Sequence, residues 1–228
     1  MGEIFMTERS ARRWNTRKTA ALTAGALVVG LGATYTLASW NDSEWVWGGA
    51  NTTPGVGTDV FEVQQNASSP VTEGTFADFE NNPGNGLSFS AGALSLSPGD
   101  TTYAPVALRT TLTSVAGTVT LQGAVAATGI TVNDTAGALW NAVRVDVYTD
   151  EGATPATACS TGFVSTGWTQ IATNASLATA ATATQALSAA AGSTQHYCFA
   201  LTLPAGSPDT LQGRTIAPAW EFASVSAP

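Results

Sequence analysis

The stretch WNAVRVDVY, residues 140–148, decides the fold class. Val143, Val145 and Val147 alternate with Arg144, Asp146 and Tyr148. That period of two gives a strand one buried face and one wet face. Working outward, Tyr197–Leu203 repeats the pattern, with Cys198, Ala200 and Thr202 opposing Phe199, Leu201 and Leu203. Shorter runs at Val60–Gln65, Leu87–Leu96, Tyr103–Thr113, Thr118–Val125 and Trp220–Val225 read as further strands. Turn chemistry separates them: Asn81-Asn82-Pro83-Gly84-Asn85-Gly86 in a polar loop, and Pro98-Gly99-Asp100, where Pro fixes φ and Gly accepts φ > 0. Residues 175–191 are Ala/Thr-rich and permit either a short helix or an edge strand. Helix signals are few and no internal repeat is evident. The expectation is an all-β, antiparallel fold of about eight to ten strands, a sandwich or barrel.

The N-terminus has the three parts of a secretory signal. Arg9, Arg12, Arg13, Arg17 and Lys18 form a basic region, Thr19 to Leu37 carries no charge, and Thr36 and Ala38 are small residues before Ser39. The uncharged stretch of 19 residues is long enough to span a bilayer. It is rich in Gly, Ala and Thr around a short Leu27–Leu31 centre, so cleavage between Ala38 and Ser39 is expected rather than permanent anchoring. The organisation read is a signal peptide at 1–38, a flexible segment at 39–58 and a β domain at 59–228.

Of 8 basic and 16 acidic residues, five basic and two acidic lie before Ser39, leaving three and 14 in the exported chain. No lysine remains. Such a surface repels nucleic acid and anionic lipid and favours solubility. It also excludes pilus cross-linking through lysine. Contact with the membrane is transient, through the signal peptide. Both cysteines, Cys159 and Cys198, lie in the exported part, where an oxidising compartment makes one disulfide of them.

Catalytic chemistry is missing from the pattern. The only histidine, His196, sits at the start of a strand beside the expected disulfide and reads as a strand-edge residue. One His and two Cys do not supply a zinc site, and no HExxH motif or phosphate-binding glycine loop occurs. Asp146, Asp150 and Glu151 cluster near one strand end and read as a solvated rim. The chain is expected to be no enzyme and to need no cofactor or metal.

Three places carry a family resemblance. Ala38-Ser39-Trp40-Asn41-Asp42-Ser43-Glu44 follows the signal's apolar core. Leu94–Tyr103 (LSLSPGDTTY) is followed by Ala104-Pro105-Val106, and Leu211-Gln212-Gly213-Arg214-Thr215 precedes Trp220-Glu221-Phe222. In order and spacing these resemble the TasA/camelysin family, in its actinobacterial branch, whose alternate signal peptides are cut by a SipW-type signal peptidase. Residues 130–195 resemble nothing in it. The resemblance implies a jelly-roll-like β-sandwich, secreted to the cell surface or extracellular space, which polymerises into biofilm-matrix fibres. There one subunit's N-terminal segment completes the sheet of the next. Some camelysins have been classed as metallopeptidases, and a single histidine gives that activity no support here.

Strand addition satisfies the unpaired N–H and C=O groups of an exposed sheet edge. The candidate donor strand is Trp40–Trp47, in which Trp45 and Trp47 share a face and Val46 lies between them. Val60–Gln65 is the alternative donor. The competing expectation is a monomeric secreted module binding carbohydrate or a surface through exposed aromatics.

Overall fold

The computed structural model describes residues 43–46, 49–50 and 53–227. The signal segment, the cleavage pair Ala38–Ser39, Trp40 and Trp47 lie outside the described residues. The chain divides after Gly57 into two units. In the first, Gly49–Ala50 (β1) and Thr53–Pro54 (β2) pair as a short antiparallel ribbon within a Gly/Asn/Thr/Pro-rich stretch that carries no strand signal.

The second unit is built from β3 (Val63–Asn66), β4 (Thr101–Thr110), β5 (Gly117–Leu121), β6 (Val125–Ala126), β7 (Arg144–Glu151), β8 (Thr169–Ser176), β9 (Gln185–Leu187), β10 (Gln195–Thr202), β11 (Pro218–Ala219) and β12 (Phe222–Ser226). They form a five-stranded sheet β3-β4-β10-β7-β8, a three-stranded sheet β12-β5-β9 and a ribbon β11-β6. Every ladder between named strands is antiparallel. The all-β antiparallel expectation therefore holds.

The strand with the strongest alternation is the central one. In β10, Tyr197, Phe199 and Leu201 point to the interior, where they join Val106 and Leu108 of β4 and Val145 and Val147 of β7. Across the gap these side chains meet Val119 and Leu121 of β5 and Leu187 of β9. Tyr197 stacks at 4.8 Å on Phe222, and Phe199 at 4.8 Å on Trp220, so aromatic pairs join the sheets. Burying each such side chain stabilises the fold by about 1.5–3 kcal/mol. Gly117 has no room for a side chain: a Cβ there would lie 2.4 Å from the Phe61 ring and 2.5 Å from the Val225 carbonyl of the neighbouring β12.

Three local expectations are corrected. Trp140 does not open β7. Ala138–Ala142 forms a helical turn because the Asp134 carboxylate accepts the N–H groups of Leu139 and Trp140 and also pairs with Arg214. Only from Arg144 does the valine alternation become strand. Leu87–Leu96 is not a strand either: Gly92 adopts φ +91° in a turn and Leu94 is exposed, so only Leu87, Phe89 and Leu96 reach the core. Residues 175–191 are neither one helix nor one strand. They contain the end of β8, all of β9 and a 3-10 turn at Ala189–Ala191. Strand β8 itself was not expected. Its only buried side chain is Ile171, so its alternation is faint.

Candidate functional site

Along one flank the two sheets do not close. Between the edge strands β3 and β12 lies an open cleft of about 940 Å³. Its floor is the half-buried Val63, Phe89, Trp220 and Phe222, with the fully buried Leu108 and Phe199 behind them. Ladder geometry fixes which edge groups face it. Gln122 donates to Glu221 and Ala227 to Ala116, so these residues of the β12 segment turn toward β5. Antiparallel alternation then turns the N–H and C=O of Phe222, Ser224 and Ser226 away from β5, to the open side. On β3, Thr111 donates to the Glu62 carbonyl, so Val63 faces outward in the same way. Gln65 is already taken, exchanging both backbone bonds with Ala77. The chain then leaves that edge, and the loop 78–86 forms a further wall. Asn82 fastens this loop by donating to the Ala126 carbonyl (3.0 Å) and accepting from the Thr128 N–H (2.8 Å).

The cleft is electrostatically one-sided. Among the described residues, Glu62, Asp78, Glu80 and Glu221 line it, and no Lys, Arg or His does. The three arginines beyond residue 38 are engaged elsewhere. Arg109 pairs with Glu73 and lies over the Phe76 ring, Arg214 pairs with Asp134, and Arg144 donates to the carbonyls of Asn141 and Val143. Burial pushes the Asp134 carboxyl up. The Leu139 and Trp140 N–H bonds and the Arg214 guanidinium outweigh it, leaving the group below its ordinary value.

The outer face of the large sheet is finished differently. Cys159 and Cys198 are joined as a disulfide, as expected, tying the loop after β7 to the middle of the central strand. Phe163 of that loop packs on Tyr148 (5.1 Å between centroids), Trp168 (5.6 Å) and Tyr103 (5.7 Å). Trp168 donates its indole N–H to Thr157, and the Ala156 N–H goes to Asp150. Burial, the Asp146 carboxylate and Tyr103 raise the Tyr148 phenol. This aromatic group was not recognised in the sequence. The nearby cysteine was its only signal.

His196 is not at an edge. It is buried within β10 between β4 and β7, and its Nε2–H donates to the Gly152 carbonyl (3.0 Å). Burial holds its imidazole below the usual histidine range, against the opposing pull of the Gly152 carbonyl, Asp150 and Glu73. Among the described residues no group of three or more His, Cys, Asp or Glu could hold a metal ion, and no helix is long and apolar enough to cross a membrane.

The candidate donor residues Trp45 and Val46 are 93% and 96% exposed. The alternative donor, Val60–Gln65, is corrected: residues 63–65 are part of β3 and already pair with β4, so the run is part of its own domain. The Pro98-Gly99-Asp100 turn forms, with Asp100 donating to the Ser97 carbonyl and accepting its N–H. Comparison with known protein families, characterised proteins and solved structures finds no match. The resemblance to TasA/camelysin proteins thus rests on the three sequence motifs alone.

Proposed function

We propose that the chain is a secreted structural subunit of an extracellular, biofilm-matrix fibre, assembling into a homopolymer by donor-strand complementation on a jelly-roll-like sandwich. The observation that carries this reading is the cleft between β3 and β12: outward-turned backbone groups at Val63 on one side and at Phe222 and Ser224 on the other, with core aromatics on its floor. An added strand would satisfy the edges and cover the apolar floor in one step. The exposed Trp45–Val46 run is the matching donor, an apolar segment without cover. On this reading a signal peptidase, of the SipW type that the Ala38–Glu44 junction resembles, frees that segment on export.

The test is deletion of residues 39–49 from the mature chain, with filaments scored by electron microscopy. The deletion is expected to abolish them, and undiminished filaments would refute the donor role.

A second reading, a monomeric secreted module for carbohydrate or surface binding, is favoured by the half-buried Tyr103, Tyr148, Phe163 and Trp168 beside Asp146 and Gln170. A stable monomer at high concentration in size-exclusion chromatography would support it over the fibre.

A further inference from the structure

After residue 38 the chain has no lysine, and both its cysteines are joined. Hydroxyl groups are then the main nucleophiles left. One of them is set against an amide in the interior. Thr149 of β7 and Gln195 of β10 are 3% and 4% exposed. The Thr149 Oγ donates to the His196 carbonyl (3.0 Å) and accepts from the Gln195 Nε2. Among the described residues, no other hydrogen bond between two side chains joins fully buried residues. Strand register brings a carboxylate to the same place. Gln195 lies directly across from Glu151 in the β7–β10 ladder, and Glu151 is two residues beyond Thr149. All three side chains therefore leave one face of the sheet, with the Cβ atoms of the opposed pair about 5 Å apart. Glu151 is exposed at the end of its strand, so the buried pair has a base beside it that stays in contact with water.

We propose that Thr149, Gln195 and Glu151 form a self-modifying site that joins β7 to β10 by an ester. The Thr149 Oγ attacks the Gln195 Cδ. The Glu151 carboxylate takes the hydroxyl proton, directly or through one water, and delivers it to Nε2 as the Cδ–Nε2 bond breaks. One Oγ–Cδ bond forms, one ammonia leaves, and the carboxylate ends as it began. No oxidant, metal or second substrate is consumed. An alcohol free in water does not displace ammonia from an amide. Here the reacting groups are held in contact, and well-oriented pairs reach effective molarities of about 10⁵–10⁸ M. Ammonia escapes into the medium, and burial keeps water from the ester it leaves behind. Unlike the Cys159–Cys198 disulfide, this link is indifferent to reductants. It goes beyond the fibre reading and does not depend on it.

The test is the intact mass of the folded mature chain, residues 39–228, denatured in acid for the measurement. The expected mass is that of the sequence with one disulfide, less one ammonia. After reduction, peptic digestion should yield one species that contains both the Thr149 and the Gln195 peptides, and hydroxylamine should separate them. T149V should have the full mass, whereas T149S, which keeps a hydroxyl, should lose ammonia. E151Q should slow the loss about 10²–10⁴-fold, the usual contribution of a positioned base. Circular dichroism checks that each variant is folded. A folded wild-type chain that keeps its full mass would overturn the proposal and leave Thr149 and Gln195 as a hydrogen-bonded pair. Loss of ammonia from wild type and T149V alike would also overturn it and place the reaction at another amide. An unchanged rate in E151Q would overturn the assignment of the base.

Discussion

On the β7–β8 side of the large sheet, the loop from Gly152 to Trp168 is tied to the central strand by Cys159–Cys198, with Phe163 seated among three aromatic rings. On the β3–β12 side no cross-link closes the sheets. A polar loop held by the Asn82 side chain borders a cleft that reaches Phe199, a residue of the same central strand as Cys198. One strand thus has its outer face sealed by the cross-linked loop, while on its inner face the buried Phe199 lies directly behind the open cleft. The sealed side supplies stability, and on the proposed fibre reading the open side is the one that offers edge groups and apolar surface to a second copy.

The largest expected effect tests the sealed side. The C159A/C198A variant should lose about 4 kcal/mol of unfolding free energy in urea, the chain-entropy value for a loop of this length. A loss below about 1 kcal/mol would show that the loop is held by its aromatic contacts instead. Phe163→Ala should cost about 2 kcal/mol, less than a fully buried Phe→Ala because Phe163 is only half-buried. Phe79→Ala, on the wall of the open cleft, should stay within about 0.5 kcal/mol while weakening filament growth. Equal costs at the two positions would erase the contrast.

A smaller effect of opposite sign is expected at Tyr197. Its hydroxyl is buried with no hydrogen-bond partner, and burial holds the phenol well above its ordinary value. Tyr197→Phe should therefore raise stability by about 1 kcal/mol, read from the shift of the urea midpoint. The smallest expected effect is on pH dependence. His196 is held below its ordinary value, so the unfolded chain binds a proton before the folded one does. Its contribution is complete above about pH 6.5 and is lost as pH falls toward the folded value. His196→Gln should flatten stability between pH 7 and 5. Asp134, held low by the Leu139 and Trp140 N–H bonds and then by Arg214, adds a separate loss only as pH falls below the ordinary carboxylate value of about 3.9.

Much of the large sheet was legible locally. The alternation from Val143 to Val147 and from Phe199 to Leu203 placed β7 and β10, because strands buried on one face repeat every two residues. Leu87–Leu96 misled because alternation requires a partner strand, and Gly92 turns the chain before one forms. The WNA start of β7 misled because Asp134, six residues before Trp140, captures its N–H group and makes a helical turn. His196 read as an edge residue because nothing local shows that β4 and β7 would flank it.

By itself, the sequence determined the antiparallel β class, the cysteine pair, the acidic balance of the chain after residue 38 and the apolar run at Trp45–Val46. These follow from composition and short-range period. Only the tertiary structure decided which strands would be edges, where the core would stay reachable, and that Glu62, Asp78, Glu80 and Glu221 would line one cleft with no basic side chain among them. Glu62 and Glu221 are 159 positions apart in the chain. Sheet order and long-range packing bring such residues together, and neither can be read from a local pattern.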